Sequence, residues 1–170
     1  MNMTFVKIDS TAPVTEYVVG QLMTALKEGK KVLWLLSGGS VMEFCVDVSK
    51  RLKGLDLSKL SVSLTDERFG PVGHADSNWQ KLKDLGFELN GARLIPVLDG
   101  SDRDETTKRF GETLKQLLEE SGYKLGIFGM GTDGHTAGIK PGSPSDSAWM
   151  RRTASVWDAS GKRREIAFLI

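Results

Sequence analysis

The sequence predicts an α/β protein: a single domain with a mostly parallel sheet flanked by helices. Short stretches with strand character alternate along the chain with longer stretches in which apolar residues recur every three or four positions. Residues 32–36 are apolar throughout, which is typical of a strand covered on both faces in a parallel sheet. A chain of 170 residues can enclose one core, so we treat 1–170 as one domain.

The first half of the chain is predicted to contain three strands, at residues 3–8, 32–36 and 61–64, and three helices. The first helix begins near Pro13 and ends near Gly29, and its apolar residues recur every fourth position: Val14, Val18, Leu22 and Leu26. The second helix follows residue 40 and places these residues on one face: Val41, Phe44, Cys45, Val48 and Leu52. The third helix spans about 78–85.

The second half continues the alternation. A strand is predicted at 93–98, a helix at 106–120 and a short buried strand at 123–128. The inward face of the helix consists of Phe110, Leu114, Leu117 and Leu118. Two further strands are predicted at 152–157 and 164–170, separated by a turn at 158–161.

Composition excludes several classes of protein. The 23 basic and 22 acidic residues nearly cancel, so we expect no nucleic-acid partner. No apolar run approaches the roughly 18 residues that span a bilayer, so we expect no membrane partner. The lone Cys45 allows no internal disulfide and suits a reducing cytoplasm, and its place on an apolar helix face indicates core packing.

The turn at residues 37–40 is a candidate anion site. It joins the apolar strand to a helix and reads Ser-Gly-Gly-Ser, so backbone N–H groups and the helix dipole can point at an anion. A tight turn with Ser40 as an ordinary helix N-cap explains the same residues. The sequence leaves both interpretations open, but it excludes a Walker loop because the Gly-Lys-Ser/Thr ending is absent.

A second polar loop, at residues 65–79, follows the strand at 61–64. Asp66 and Arg68 emerge directly at the strand end, where ligands bind in open α/β sheets, so we predict that both are functional. His74 has two interpretations, substrate binding or a hydrogen bond that staples the loop. Asp76 and Ser77 are interpreted as the start of the next helix.

The strongest site candidate is the glycine loop, defined as residues 126–142. Six of its seventeen residues are glycine, so the backbone turns sharply or lets a ligand approach closely. It contains Asp133 and His135, and histidine is the side chain that most readily acts as a base near neutral pH. A dinucleotide fingerprint, Gly129-x-Gly131-x-x-Gly134, is also present. We reject it because Pro141 cuts any following helix short and no acidic residue follows at the required distance.

Three motifs occur in order along the chain: Ser37-Gly38-Gly39-Ser40, Asp66-Glu67-Arg68 with Asp76-Ser77-Asn78, and Gly129-Met130-Gly131-x-Asp133-Gly134-His135-Thr136-Ala137. Together they resemble the 6-phosphogluconolactonase family, within the wider glucosamine-6-phosphate deaminase/isomerase superfamily. The resemblance implies a Rossmann-like fold. It also implies hydrolysis of 6-phospho-glucono-lactone to 6-phosphogluconate, in the oxidative pentose phosphate pathway, without a metal or organic cofactor.

The resemblance also implies roles for individual residues. Residues 37–40 would hold the phosphate, Arg68 would bind the phosphorylated substrate and His135 would be the general base. From the residues themselves, either Asp66 or Asp133 is a candidate to orient the imidazole ring or to bind substrate, and the sequence does not rank them. The predicted binding set is completed by His74, Asn78 and Gly131.

The chain departs from the family at its end. Family members usually continue with a further strand and helix and with a late lysine that helps to bind phosphate. We therefore expect this chain to lack that strand and helix, and expect self-association through the shortened edge. Two alternatives to the lactonase stay open. Amino-sugar-phosphate deaminases typically have tyrosine where Arg68 stands, so Arg68 disfavours them, and a non-catalytic sugar-phosphate-binding protein would carry the same motifs.

Overall fold

The structure is a computed structural model that describes residues 7–130, 132, 134–140, 155–159 and 163–167. Helices and strands alternate through most of this part of the chain. In chain order they are α1 (Ala12–Lys27), β1 (Val32–Leu36), a 3-10 helix (Gly39–Val41), α2 (Met42–Arg51), β2 (Leu60–Leu64), β3 (Asp66–Arg68), α3 (Asn78–Asp84), β4 (Arg93–Leu94), α4 (Arg103–Glu120), β5 (Tyr123–Gly126), β6 (Ser155–Ala159) and β7 (Arg163–Ala167).

The main sheet is parallel, as predicted, and its four strands lie in the order β4-β2-β1-β5. β1 is central, with Val32 beside Leu60 of β2 and beside Tyr123 of β5. Because the strands are parallel, the carboxyl ends of β1, β2 and β5 meet at one edge of the sheet. The segments that follow these strands are the 37–40 turn, β3 and the glycine loop, so the topology brings the three candidate segments together.

Burial explains why these residues form the centre of the fold. All five residues of β1 are buried, and Leu33, Trp34 and Leu36 are completely enclosed. α1 contributes Val18 and Leu22 to the same core, and it ends where Gly29 adopts a positive φ of 76°. The predicted inward face of α2 is confirmed at Phe44, Cys45, Val48 and Leu52. Within the described residues, no helix has both the length and the apolar character needed to cross a bilayer.

The prediction of a buried strand at 123–128 was wrong in part. β5 ends at Gly126, and its residues alternate between half-buried and exposed because it pairs only with β1 in the described sheet. Phe128, predicted to be buried, is 51% exposed. The strand predicted at 93–98 is shortened to β4, because Pro96 has no N–H to continue a ladder.

A second, three-stranded sheet lies in the order β3-β7-β6, and both of its pairings are antiparallel. The polar loop predicted after β2 therefore begins with a short strand. The predicted C-terminal strand pair is confirmed for β6 and β7, which pair antiparallel, and residues 158 and 159 belong to β6 rather than to the predicted turn. The remaining residues of the two predicted strands, 152–154 and 168–170, lie outside the described residues. The predicted strand at 3–8 lies mostly outside the described residues, and Lys7 and Ile8 are not in a strand. Self-association through the shortened edge stays a prediction.

Candidate active site

A cavity of about 200 Å³ opens at the edge where β1, β2 and β5 end. All three candidate segments contribute to its lining, which among the described residues consists of Ser37, Gly38, Gly39, Ser40, Asp66, Arg68, Gly129, Met130, His135 and Ala137. Seven of the eleven predicted site residues are in this set. The cavity therefore joins a base, a carboxylate, an arginine and a glycine-rich turn.

The 37–40 turn forms one side of the cavity. Gly39 has a φ of 77°, a conformation that favours glycine, and the chain continues through the 3-10 helix into α2. The residue that precedes α2 is Val41, and no side chain caps either helix. The interpretation of Ser40 as an N-cap is therefore wrong. Ser40 lines the cavity instead, together with Ser37, Gly38 and Gly39.

β3 directs alternate side chains to opposite sides, as any strand does. Asp66 and Arg68 line the cavity, whereas Glu67 between them points toward α3. The Asp66 carboxylate is 4% exposed; its Oδ1 accepts a hydrogen bond from Thr65 Oγ1 at 3.1 Å and its Oδ2 accepts one from Asn78 Nδ2 at 3.2 Å. Both bonds favour the ionised carboxylate.

Glu67 is a residue whose role the sequence did not reveal. It is fully buried, and its carboxylate accepts four hydrogen bonds. The donors are the backbone N–H groups of Arg68, Asn78 and Trp79 and the hydroxyl group of Ser77. Two of these N–H groups belong to the first turn of α3 and have no partner within the helix. The sequence did contain a signal for this role: a helix that starts at residue 78 needs a nearby acceptor for its first N–H groups.

His74 staples its own loop. Its Nε2 lies 2.9 Å from the carbonyl oxygen of Arg68, which can only accept, so Nε2 carries the proton. Its Nδ1 then accepts a hydrogen bond from the Asp76 N–H at 3.3 Å. A Cβ added at Gly70 would lie 2.9 Å from the ring, so this glycine makes room for the imidazole. Because His74 does not line the cavity, the geometry supports stapling rather than substrate binding.

The glycine loop presents His135 beside a turn that Thr136 anchors. Thr136 Oγ1 donates to the carbonyl oxygen of Gly129 at 2.9 Å, and the backbone of Thr136 exchanges two hydrogen bonds with Ile139. Ala137 lies between these two residues with a φ of 49°. In the described residues from 134 to 140 no helix opens, so the rejection of the dinucleotide fingerprint stands. Gly131 and Asp133, both predicted site residues, lie outside the described residues.

The family model described as glucosamine-6-phosphate isomerases/6-phosphogluconolactonase matches residues 8–165. The chain belongs to this family. It is 34% identical over 153 residues to a 6-phosphogluconolactonase of Pseudomonas aeruginosa, covering 84% of this chain and 62% of that protein. It is 32% identical over 154 residues to a 6-phosphogluconolactonase of Neisseria meningitidis serogroup A, covering 87% of this chain and 64% of that protein. The chain thus spans less than two thirds of the length of these curated relatives.

Solved structures from the family share the fold. A 6-phosphogluconolactonase from Shewanella baltica superposes with a TM-score of 0.78 at 21% identity, covering 95% of this chain and 72% of that one. A 6-phosphogluconolactonase from Thermotoga maritima gives a TM-score of 0.79 at 18% identity, covering 96% and 74%. The Rossmann-like fold that the resemblance implied is therefore confirmed.

Two observations concern residues that could bind a metal ion or act as a nucleophile. In the described part of the chain, no three His, Cys, Asp or Glu side chains are grouped so that they could hold a metal ion. Burial raises the pKa of the Cys45 thiol from 9.0 to about 12, so this thiol is not a nucleophile at neutral pH.

Asn78, predicted to bind substrate, is absent from the cavity lining, as His74 is, and its side-chain amide contacts Asp66 instead.

Proposed function

We propose that this protein hydrolyses 6-phospho-glucono-lactone to 6-phosphogluconate. The observation that carries the proposal is that His135, Arg68, Asp66 and the 37–40 turn line one cavity. An anion site and a base in the same cavity suit a substrate that carries both a phosphate and an ester. Membership of the family and the two lactonase relatives support the same reaction.

The phosphate binds at the 37–40 turn and Arg68. Backbone N–H groups of a turn between a strand and a helix favour an anion, and the hydroxyl groups of Ser37 and Ser40 are additional donors. The guanidinium of Arg68 offers a planar fork of N–H donors that matches phosphate or carboxylate oxygens. The substrate is therefore fixed at its charged end.

His135 is the general base. It accepts a proton from water as the water oxygen attacks the lactone carbonyl, which produces a tetrahedral oxyanion. Backbone N–H groups of the glycine loop are suited to stabilise that oxyanion. The ester C–O bond then breaks, and the protonated imidazole returns its proton to the departing ring oxygen. Asp66 or Asp133 orients the imidazole ring or binds a substrate hydroxyl group. Water is the only co-substrate, and in this proposal His135 activates it without a metal or organic cofactor.

The decisive experiment is a coupled assay that makes the lactone in place and measures its disappearance. We expect the protein to accelerate hydrolysis well above the spontaneous rate. If micromolar protein adds nothing to that rate while 6-phosphogluconate still binds, the protein is a sugar-phosphate-binding protein without turnover.

We further propose that residues 1–170 act as one domain and that the reaction takes place in the cytoplasm. The lone, buried Cys45 supports the cytoplasmic location.

A second candidate is an amino-sugar-phosphate isomerase or deaminase, because the family description includes glucosamine-6-phosphate isomerases. Arg68 lines the cavity, and it stands where the amino-sugar-phosphate deaminases typically have tyrosine, which favours the lactonase. Incubation with glucosamine-6-phosphate separates the two reactions. We expect no release of ammonia, and rapid release would replace the lactonase with this second candidate.

A further inference from the structure

The first residue of α3 carries a buried side chain that touches the cavity lining from behind. Asn78 is 2% exposed, and its Nδ2 donates to the backbone carbonyl oxygen of Asp66 at 3.1 Å. The same Nδ2 donates to the Asp66 Oδ2 at 3.2 Å. One amide group thus holds both the main chain and the carboxylate of Asp66.

The other side of the same amide packs against the 37–40 turn. A Cβ added at Gly38 would lie 2.5 Å from Asn78 Oδ1 and 2.7 Å from its Cγ. Real Cβ atoms do not approach other atoms so closely, so glycine at this position is what allows the contact. Asn78 is therefore wedged between β3 and the 37–40 turn, the two segments that we propose bind the substrate.

Glu67 fixes the position of Asn78. Its Oε1 accepts a hydrogen bond from the Asn78 N–H at 2.6 Å, and its Oε2 accepts bonds from Trp79 N and Ser77 Oγ. Because Glu67 is fully buried, losing these bonds would leave a carboxylate without solvent or partners, which is costly. The backbone of the first turn of α3 is consequently tied to β3.

We propose that Asn78 is a positioning residue, which holds the Asp66 carboxylate toward the cavity and sets the separation between β3 and the 37–40 turn. It touches neither the lactone nor the phosphate. Its effect on the reaction rate rests on the proposed function, whereas its effect on Asp66 does not.

The charge on Asp66 supplies a direct readout. The Asn78 amide stabilises the ionised carboxylate, so its removal makes Asp66 easier to protonate. The described titratable side chains around Asp66 are Glu67 and Arg68 on its own strand and His135 on the glycine loop. The hydrogen bonds that α3 donates to Asp66 come from the uncharged Asn78 amide, so Asn78→Ala changes no formal charge at the site.

The test is a carbon-13 NMR titration of the Asp66 carboxyl group, assigned with Asp66→Asn. In Asn78→Ala we expect the midpoint to rise by about one pH unit, the worth of one hydrogen bond to a charged group. Ser77→Ala is the matched control: it disturbs the same helix start and Glu67 but does not contact Asp66, so the midpoint stays at its parent value.

Asn78→Asp keeps the shape of the side chain and covers the case in which Asn78→Ala does not fold. It places a second carboxyl group against Asp66, so we expect a larger rise. An unchanged Asp66 midpoint in the folded variant would overturn the proposal, and so would an equal rise in Ser77→Ala.

Kinetics give an independent check. We expect Asn78→Ala to lower kcat/KM about tenfold in the parent, but less than about twofold when Asp66 is already Asn, because the two residues act as a unit. Equal losses in both backgrounds would show that Asn78 affects turnover independently of Asp66 and would overturn the proposal. If the parent does not accelerate lactone hydrolysis, the proposed function fails and the titration still decides the role of Asn78.

Discussion

The side of the cavity formed by β3 and α3 is buried and densely hydrogen-bonded, whereas the side formed by the glycine loop is largely open to solvent. Glu67, Asp66 and Asn78 are all less than 5% exposed, and three hydrogen bonds join Asn78 to Asp66 and Glu67. Glu67 accepts two more from Ser77 and Trp79 at the start of α3. On the glycine loop, Met130 is 82% exposed and Phe128 is 51% exposed. We refer to these two sides as the binding side and the base side.

The difference between the two sides fits the roles that we propose for them. A substrate is positioned by groups whose own places are fixed, so the carboxylate and arginine stand on a strand with buried supports. A general base must exchange protons with water in every cycle, so it is better placed on an accessible loop. If binding and proton transfer are divided in this way, substitutions on the two sides of the cavity will change different kinetic quantities.

The largest expected effect is on the base side. His135→Asn keeps a side chain able to hydrogen-bond but removes the proton acceptor, so we expect kcat to fall about 100-fold or more. Binding of 6-phosphogluconate should persist, because the binding side is unchanged. The measurements are the coupled lactonase assay and calorimetric titration with 6-phosphogluconate.

His74→Asn is the companion variant, since His74 is the other histidine of the chain. It removes the staple to the Arg68 carbonyl, so we expect a loss of about 1 kcal/mol in the free energy of unfolding. Turnover per folded molecule should stay within a few-fold of the parent. Comparable losses of turnover in both variants would refute the separate roles of the two histidines.

The next effect is on the binding side. Arg68→Lys keeps the positive charge but loses the planar fork of donors, so we expect kcat/KM to fall at least about tenfold, or roughly 1.4 kcal/mol. Steady-state kinetics and thermal unfolding are measured on the same samples. A lower melting temperature with intact activity per folded molecule would indicate a structural ion pair instead.

Substitutions at the two glycines of the 37–40 turn test whether Asn78 is wedged against this turn. In Gly38→Ala the new Cβ meets the Asn78 side chain, and overpacking of this kind costs about 1–3 kcal/mol. In Gly39→Ala the space is open, but the residue is held at a positive φ, which costs about 1–2 kcal/mol. Adding Asn78→Ala should reduce the loss of stability in Gly38→Ala but not in Gly39→Ala. Chemical denaturation measures the free energy of unfolding of both glycine variants, each with and without Asn78→Ala. An equal effect of Asn78→Ala on the two glycine variants would contradict the wedge.

The smallest effect concerns Cys45 on α2, directly after the 37–40 turn. Burial raises its folded-state pKa from 9.0 to about 12, so the folded protein keeps the proton that the unfolded chain loses. The contribution of Cys45 to stability is therefore complete below pH 9 and is lost as the pH rises from about 9 to about 12. At neutral pH we expect native protein to resist thiol reagents that label the denatured chain at once. Rapid labelling of native protein would show that α2 opens.

The sequence predicted the parallel sheet, four helices and most of the cavity lining, because these depend on local patterns. An apolar run such as β1 and a four-residue spacing such as that of α1 identify their elements without tertiary information. The position of β5 at the edge of the described sheet could not be predicted, since its apolar residues are compatible with either a central or an edge strand. Pairing with β7 made a strand of the polar residues in β3, which have low strand propensity.

The site shows the same limit. Asp66, Arg68 and His135 were found because they follow strand ends, where a ligand would bind. Glu67 and Asn78 were not understood, because their roles depend on how α3 packs against β3. His74 could not be separated from His135 by residue type; the hydrogen bonds of its ring and its absence from the cavity lining distinguish it.

The order of the strands in the chain also determines when each side of the cavity can assemble during folding. Glu67 meets its α3 partners 11 or 12 residues away, so the β3–α3 hydrogen bonds of the binding side can form once β1 and β2 have paired, before the distant β7 pairs with β3. The base side depends on β5, which reaches β1 only after α2, α3 and α4 have been passed, and closing such a long loop is slow. A refolding chain should therefore regain affinity for 6-phosphogluconate before it regains turnover. Stopped-flow recovery of both signals, after dilution from denaturant, measures the interval between them, and simultaneous recovery would show that the two sides form in a single step.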